Sequence, residues 1–302
     1  MLIDAVESYL NVRHAAGFDL QHAGKVLRKF CKFAAARREQ HVNGNTAIEW
    51  ASLASSPGER SRRLSAVIRF ARYAKAEDVR HEVPPDGVFG RNRIRRVPFI
   101  FSPADILHII EQATHLGPSG SLRPDTFATL FALLSVTGMR VSEALALRIG
   151  DITSDGLIIR KTKFRKSRLI PLHLTAMQAL DRYLVRRIPV SSGDDHLFVS
   201  LTGHGFCYET VRSVFHKLVR AAGIVGSERR KPHVHGLRHT FAVRALEACP
   251  CDRDRVGRHI LALSTYMGHA HVADTYWYFE ATPQLLNDIA KAWEAFVKGV
   301  AR

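Results

Sequence analysis

Apolar residues recur at three- and four-residue steps through most of this chain of 302 residues, and this is the periodicity of amphipathic helices. The only clear β pattern lies between residues 156 and 172, where apolar runs at 156–160 and 168–172 flank a polar turn. We therefore predict a mainly α fold with a small β-hairpin or sheet in its C-terminal part. Residues 196–200 are predicted to form one further short strand.

The character of the chain changes near residue 91, and this change predicts two domains. Residues 1–90 predict a helical domain in which basic side chains cover the faces of two helices. Residues 91–101 contain four arginines and predict a basic interdomain linker. A larger domain is predicted over residues 102–302, because Ser102 can cap a helix that begins at the following proline.

Further helices are predicted in the second domain from their apolar periodicity. They cover residues 124–136, 174–186, 208–222, 236–247 and 283–300, and another begins at Ser142. The last of them is amphipathic. Its apolar stripe consists of Leu285, Leu286, Ile289, Ala290, Trp293 and Phe296.

Lys and Arg outnumber Asp and Glu by 16, and residues 1–100 and 101–302 share this excess equally. Such a charge favours a polyanionic partner, of which nucleic acid is the first candidate, while a merely basic surface is the alternative. Basic side chains in both parts fit a clamp around duplex DNA better than one basic tail does. The chain has no signal-peptide pattern or apolar run long enough to span a bilayer, and its four cysteines are scattered. We therefore expect a reduced, cytoplasmic setting.

Two motifs place an arginine beside the start of a helix. Residues 137–148 read Thr-Gly-Met-Arg-Val-Ser-Glu-Ala-Leu-Ala-Leu-Arg and contain Arg140, and residues 235–238 read His-Gly-Leu-Arg. The planar donor fork of a guanidinium suits a tetrahedral oxyanion. The alternatives are a surface arginine and, for His235 and His239, a metal site. A metalloprotease helix requires Glu after its first His, however, where this chain has Gly236.

A third motif lies near the C-terminus. Residues 267–269 read Met-Gly-His, and Tyr278 follows His269 by nine residues. Tyr266 and Tyr276 lie close enough in sequence to compete with Tyr278 for the same role. Residues two apart on a helix point about 200° from each other, so we expect Tyr276 to pack on the opposite face from Tyr278 and Tyr266 to lie in the core.

In this order, the motifs resemble those of the tyrosine recombinase family, the phage-integrase type of DNA-rejoining enzymes, over residues 102–290. The resemblance implies six catalytic residues: Arg140, Lys163, His235, Arg238, His269 and Tyr278. The lysine is assigned by counting back from the Arg-Leu-Ile-Pro-Leu run at 168–172, and Lys161 and Lys166 remain rivals. Glu143 is expected to orient Arg140.

The resemblance assigns a role to each of these residues. The two arginines and His269 bind the scissile phosphate, His235 assists proton transfer at Tyr278, and the lysine protonates the leaving oxygen. The nucleophile forms a 3′-phosphotyrosine and frees a 5′-hydroxyl. This covalent intermediate conserves the bond energy, so rejoining needs no ATP, metal ion or cofactor.

The implied function is that of a site-specific recombinase or integrase of a mobile element that cuts and rejoins duplex DNA. The implied architecture is a two-domain clamp, with residues 1–90 as the core-binding domain, that forms a homotetramer on paired DNA sites through the C-terminal helix, with or without accessory proteins. A type IB topoisomerase activity and a non-catalytic DNA-binding accessory protein are the alternatives. A metal-dependent nuclease is disfavoured, because the sequence contains no carboxylate cluster.

Overall fold

The computed structural model of the chain describes residues 1–18, 20–90, 97–160, 167–190, 193–227, 230–248, 253–269, 271–276 and 278. The chain folds into two compact units, Met1–Arg95 and Arg96–Arg302. None of the helices within the described ranges is long and apolar enough to cross a membrane.

Four helices form the regular structure described in the first unit: α1 (Leu2–Ala15), α2 (Gln21–Ala35), α3 (Gly44–Ser52) and α4 (Pro57–Glu77). Two of their starts are fixed by polar side chains. Asn43 Oδ1 accepts a hydrogen bond from the Thr46 amide ahead of α3, and Ser56 Oγ accepts one from the Glu59 amide at the start of α4.

The apolar faces of these helices meet in a core of their own, in which Phe30 and Phe70 are completely buried. Some of the basic side chains on the surface of this unit already have acidic partners. The guanidinium of Arg28, for example, donates two hydrogen bonds to the carboxylate of Glu7, at 2.7 and 2.8 Å. The number of basic side chains that can contact a polyanion without first leaving an acidic partner is therefore smaller than the number of Lys and Arg residues in this unit.

The second unit contains eight described helices and one small sheet. The helices are α5 (Pro103–Thr114), α6 (Arg123–Thr137), α7 (Val141–Leu145), α8 (Leu174–Arg187), α9 (Tyr208–Ala221), α10 (His235–Glu247), α11 (Arg253–Met267) and α12 (Ala273–Tyr276). The strands are β1 (Ile152–Thr153), β2 (Gly156–Ile159) and β3 (Arg168–Ile170). Helix α5 begins with a complete capping box between Ser102 and Asp105, as the sequence indicates.

The sheet is antiparallel with strand order β1-β2-β3, and Leu157 pairs with both Ile152 and Ile170. Its tightest point is Gly156, whose φ is +135° and whose missing Cβ would lie 2.1 Å from the carbonyl oxygen of Ile170. Only glycine fits there. The predicted mainly α fold with a small sheet is confirmed, and the hairpin gains one short strand.

Two predictions about regular structure require correction or remain open. Residues 196–200 do not form a strand: their described backbone makes only isolated bridges, Arg148 to His196 and Val199 to Gly205. Arg187 explains this geometry, because its buried guanidinium donates to the carbonyl oxygens of Asp194 and His196 and so takes the place of a strand partner. The predicted helix at 283–300 lies outside the described residues.

The core of the second unit is built on phenylalanine rings and aliphatic side chains from α5, α6, α9 and the sheet. Phe101, at the end of the predicted linker, is completely buried in this core. A smaller apolar cluster joins α10 and α11 and includes Met267 and Tyr278. The site described next lies where this smaller cluster approaches the end of α6.

Candidate active site

The first arginine stands between two helices because a glycine ends the first of them. Gly138 adopts a left-handed conformation, with φ +60°, and terminates α6. Arg140 follows in extended conformation and immediately precedes α7. Its side chain is 26% exposed, so the guanidinium remains accessible to a ligand.

The carboxylate of Glu143 is the electrostatic centre of the site. It accepts hydrogen bonds from the Arg140 amide at 2.9 Å and from Arg140 Nη1 at 2.7 Å. Arg168, at the start of β3, adds two more from Nη1 and Nη2, at 3.0 and 2.7 Å. Burial alone would raise the pKa of Glu143, but the hydrogen bonds from the two arginines outweigh it and lower the pKa to about 2.

A backbone carbonyl gives Arg140 its second fixed contact. Arg140 Nη2 donates to the carbonyl oxygen of Gly268 at 3.0 Å, and Gly268 directly precedes His269. The first arginine is thus attached to the same peptide segment that carries the third motif.

Arg238 is buried on the first turns of α10. Its Nη1 donates to the carbonyl oxygen of Gly138 at 2.7 Å, and its Nη2 donates to that of Met267 at 2.7 Å. Burial and the nearby charge of Arg140 lower the pKa of Arg238 to about 10, so the guanidinium remains charged at neutral pH. This side chain therefore joins the end of α6 to the segment that contains His269.

His269 lies between two polar partners that determine its tautomer. Its Nε2 is 3.2 Å from Arg238 Nη2, which can only donate, and its Nδ1 is 2.7 Å from the Oγ1 of the buried Thr275. The hydrogen therefore belongs on Nδ1 and points at Thr275. Burial and the charge of Arg238 lower the pKa of His269 to about 4.

Tyr278 is buried, with 3% of its surface exposed. Its ring centre lies 6.1 Å from that of His269 and 5.5 Å from that of His239. Burial raises the pKa of the Tyr278 phenol, whereas the charge of Arg238 and a hydrogen bond with its side chain act in the opposite direction. A phenol in this environment needs a base to remove its proton.

Two further imidazoles lie near this phenol: His239 contacts the Tyr278 ring, and His235 contacts His239. The rings of His235 and His239 meet edge to face, 4.7 Å apart. Desolvation and neighbouring positive charges lower the pKa of His235 to about 4 and that of His239 to about 3. His235 keeps contact with solvent, yet the protein atoms around its ring displace enough water to disfavour the charged form. Both rings are therefore neutral at pH 7.

Four of the six predicted site residues, Arg140, Arg238, His269 and Tyr278, are thus connected by hydrogen bonds or ring contacts. His235 lies one turn before Arg238 on α10 and contacts this group through His239. Lys163 and its rivals Lys161 and Lys166 lie outside the described residues. Of the rival tyrosines, Tyr266 stacks on Phe241 with ring centres 5.5 Å apart, and the side chain of Tyr276 lies outside the described structure.

Arg168 and Thr275 contact the site, although the sequence motifs gave neither a role. Arg168 only marks the start of the apolar run at 168–172, and Thr275 precedes Tyr278 by three residues. A signal for Arg168 was its place in the apolar run of a strand, since a buried charged residue requires a partner of opposite charge.

The alternative of a metal centre gains no support from the part of the chain that the structure describes. Groups of three side chains with metal-binding atoms close together occur there at two places: His41, Asp78 and His81, and Asp194, Asp195 and His196. Neither group includes a residue of this site. The neighbours of His235 and His239 include Arg238, whose charge disfavours a cation.

Comparison with known proteins places this arrangement in a family. The model of the phage integrase family matches residues 104–284. A protein of Sinorhizobium fredii named "Putative integrase/recombinase y4rB" is 34% identical over 305 residues, which cover 96% of this chain and 97% of that protein. The tyrosine recombinase XerD of Caulobacter vibrioides is 32% identical over 241 residues, covering 78% of this chain and 75% of XerD.

Two solved structures share the fold at low sequence identity. XerH site-specific recombinase bound to palindromic difH substrate, in a post-cleavage complex, matches with a TM-score of 0.66 at 19% identity, over 89% of this chain and 78% of that one. A lambda integrase tetramer bound to a Holliday junction matches with a TM-score of 0.60 at 17% identity, over 92% of this chain and 76% of that one.

Proposed function

The chain belongs to the phage integrase family and is a tyrosine-type site-specific recombinase, and from this premise we propose how its residues divide the reaction. Tyr278 Oη attacks the phosphorus of a DNA phosphodiester. A bond to the tyrosine forms, the bond to the 5′-oxygen breaks, and the products are a 3′-phosphotyrosine and a free 5′-hydroxyl. Attack by a 5′-hydroxyl on the phosphotyrosine reverses these steps and releases the tyrosine.

Arg140 and Arg238 neutralise the non-bridging oxygens of the phosphate as charge develops on them. His269 donates a hydrogen bond to the same oxygens from Nε2 once the bound phosphate has raised the pKa of its ring, because the neutral ring carries its hydrogen on Nδ1. The neutral imidazole of His235 takes the proton of Tyr278, and Lys163 returns a proton to the leaving 5′-oxygen. The observation that carries the proposal is the position of Tyr278, whose buried phenol lies beside Arg238 and His269. His269 directly follows Gly268, whose carbonyl oxygen accepts a hydrogen bond from Arg140.

The first test is covalent capture. The wild-type chain is incubated with a library of random-sequence duplexes, denatured, and searched for attached DNA. We expect wild-type protein to retain DNA, and the sequences retained identify a substrate duplex. Tyr278→Phe is expected to bind that duplex with unchanged affinity, because a hydroxyl adds little to a phosphate-dominated interface, and to retain no DNA covalently. A peptide map with the nucleotide on Tyr276, or an adduct from Tyr278→Phe, would overturn the assignment.

The second test concerns metal ions. Arginines occupy the positions at which a metal-dependent enzyme would hold a cation beside the phosphate, so capture is expected to proceed unchanged in EDTA. Loss of capture in EDTA and its recovery on addition of Mg²⁺ would contradict the proposed chemistry.

The role of Lys163 is tested by changing the leaving group. Lys163→Ala is expected to be severely impaired on ordinary DNA and restored on a 5′-bridging phosphorothiolate, whose thiolate leaves without a proton. Lys166→Ala is the matched control, because this lysine lies three residues further along the chain, and it should retain cleavage. Failure of the sulfur substrate to rescue, or an equal loss in both variants, would count against Lys163.

We also propose that residues 1–90 form a core-binding domain joined by the linker 91–101 to a catalytic domain at 102–302, and that the two clamp duplex DNA. The basic excess of both parts supports this. The apolar stripe of residues 283–300 is proposed to dock on a neighbouring protomer, giving a tetramer on two DNA sites. A chain truncated at Pro283 that still pairs two duplexes would refute the docking.

The biological setting is part of the same proposal: a cytoplasmic, nucleoid-associated enzyme of a mobile element, with or without accessory proteins. Inverted repeats or element ends in the DNA flanking the gene would support it. A two-site plasmid separates recombination from the alternative of type IB topoisomerase activity, because only recombination exchanges partners. A chain that captures no DNA covalently would fit the non-catalytic accessory protein instead.

A further inference from the structure

Arg168 is a third arginine in the site. It contacts Glu143 and Gly268, which both accept hydrogen bonds from Arg140. It begins strand β3, where its backbone pairs with Ile159, and its side chain is only 13% exposed. Its guanidinium grips the Glu143 carboxylate with two parallel hydrogen bonds, of 3.0 and 2.7 Å. This fork-to-fork geometry fixes both the position and the plane of the carboxylate.

We propose that Arg168 is a positioning residue, which holds the Glu143 carboxylate and the Gly268 peptide so that Arg140 directs its remaining N–H donors at the phosphate. The inference rests on the proposed function, because that function assigns Arg140 to the scissile phosphate. Arg168 itself acts through its neighbours.

Arg140 and Arg168 together supply the hydrogen bonds to the Glu143 carboxylate. Each oxygen of Glu143 accepts one hydrogen bond from Arg140 and one from Arg168. Without Arg168, each oxygen of a buried anion loses one of its two partners, which is unfavourable. The closest group that can compensate is the Arg140 guanidinium, which would turn to grip the carboxylate with its own fork. Its donors would then be withdrawn from the phosphate.

The other group that holds Arg140 is the peptide of Gly268, and Arg168 contacts it as well. Gly268 has φ +66°, and a Cβ on it would lie 2.8 Å from Arg168 Nη1, so the guanidinium of Arg168 packs directly against this residue. The carbonyl oxygen of Gly268 accepts the hydrogen bond from Arg140 Nη2. One largely buried side chain, 13% exposed, thus supports both groups that hold Arg140.

Sequence position adds a reason for an arginine at this point. Arg168 follows residues 161–166, which include Lys163, after a single intervening residue. The side chain of Arg168 therefore attaches strand β3 to Glu143 and Gly268, the two residues that hold Arg140. A lysine would supply the charge but not the planar fork, and so would leave the carboxylate free to rotate.

The test uses the duplex that wild-type protein captures, with either an ordinary phosphate or an uncharged methylphosphonate at the cleaved position. Arg168→Met is compared with wild type for DNA affinity and for the rate of adduct formation at saturating DNA. On the ordinary phosphate we expect about a 100-fold slower rate, the size of effect produced by misplacement of about 1 Å. Affinity should remain within about a factor of two, because one residue contributes little to a phosphate-dominated interface.

The methylphosphonate separates positioning from general loss of structure. It removes the negative charge that Arg140 neutralises, so the ratio of variant to wild-type rate should return to near one. The matched control is Arg186→Met, which removes an arginine of the same unit from a solvent-exposed ion pair with Asp125 and should react like wild type on both substrates.

Two results would overturn the inference: an Arg168→Met protein that cleaves ordinary DNA at the wild-type rate, or one with equal defects on both substrates. If Arg168→Met does not fold, as judged by circular dichroism, Arg168→Lys takes its place. Its rate is then compared with the wild-type rate on the ordinary phosphate and on the methylphosphonate. Absence of any wild-type adduct would instead remove the proposed function, and the inference with it. A fully active Arg168→Met beside an active wild type removes the inference alone.

Discussion

Ionisation of Glu143 should stabilise the second unit, and acid should remove that stabilisation. The side chain is 7% exposed, and its carboxylate binds two guanidinium groups and one backbone amide. The perturbation with the clearest outcome is Glu143→Gln, which keeps the shape of the side chain and removes its charge. Two partly buried guanidinium groups then lose their shared counter-ion.

The magnitude follows from the pKa. The folded pKa of Glu143 is about 2, against an ordinary value of 4.5, and this difference corresponds to about 3 kcal/mol in the free energy of unfolding. Because the folded pKa is the lower one, the contribution is complete above about pH 4.5. It declines as the pH falls toward about 2, and about two thirds of it should be lost by about pH 3.

The assay is calorimetric unfolding of the full chain between about pH 2.5 and 7. For a unit of this size, about 3 kcal/mol corresponds to a difference in Tm of about 10 °C. Glu143→Gln should therefore melt about 10 °C below wild type at pH 6, and the gap should narrow steadily in acid. Asp195→Asn is the matched control, because its carboxylate pairs with Arg148 at the surface and an exposed pair contributes about 0–1 kcal/mol.

Two results would refute this reasoning. Wild type and Glu143→Gln could melt with a constant separation at all pH values, which would mean that the charge of Glu143 is not what stabilises the fold. Alternatively, Asp195→Asn could cause an equal and equally pH-dependent loss. The effect would then reflect net charge rather than the buried carboxylate.

Three further outcomes are expected. Thr275→Val should slow adduct formation about tenfold, since His269 loses one hydrogen bond, whereas Thr275→Ser should retain activity. Arg187→Met should lower the calorimetric stability by about 3 kcal/mol, because its guanidinium donates to several backbone carbonyls. Gly138→Ala should lower the Tm more than Gly120→Ala. Both glycines have positive φ, but a Cβ at Gly138 would lie 2.4 Å from a phenylalanine ring, while nothing lies within 4 Å at Gly120.

The sequence predicts what depends on local patterns. Helix α5 begins where a serine, a proline and an acidic residue favour a cap, and the strands β2 and β3 lie within the apolar runs at 156–160 and 168–172. Periodicity and capping are properties of neighbouring residues, and they can be read without knowing what packs against them.

What the sequence does not predict depends on contacts between distant segments. The apolar run at 196–200 resembles a strand, but Arg187 donates to the carbonyl oxygen of His196 from the side, and nothing in the sequence around a helical arginine reveals that it is buried. Arg168 is similar. Its role arises from Glu143, 25 residues earlier, and from Gly268, 100 residues later, so only the folded chain brings out that relationship.

The electrostatics of the site connect its arginines to its histidines. Arg140, Arg168 and Arg238 surround the single carboxylate of Glu143, so this group carries more positive than negative charge. The same excess helps to keep His235 and His269 neutral, since both pKa values are lowered by desolvation and by Arg238.

An entering phosphodiester would reduce that positive excess. Its negative charge would compensate the arginines and raise the pKa of each imidazole toward the ordinary value. A ring that is neutral beforehand can accept the Tyr278 proton, and a ring beside a bound phosphate can hold it. The anion that the arginines bind would thus also prepare the base for the step that follows.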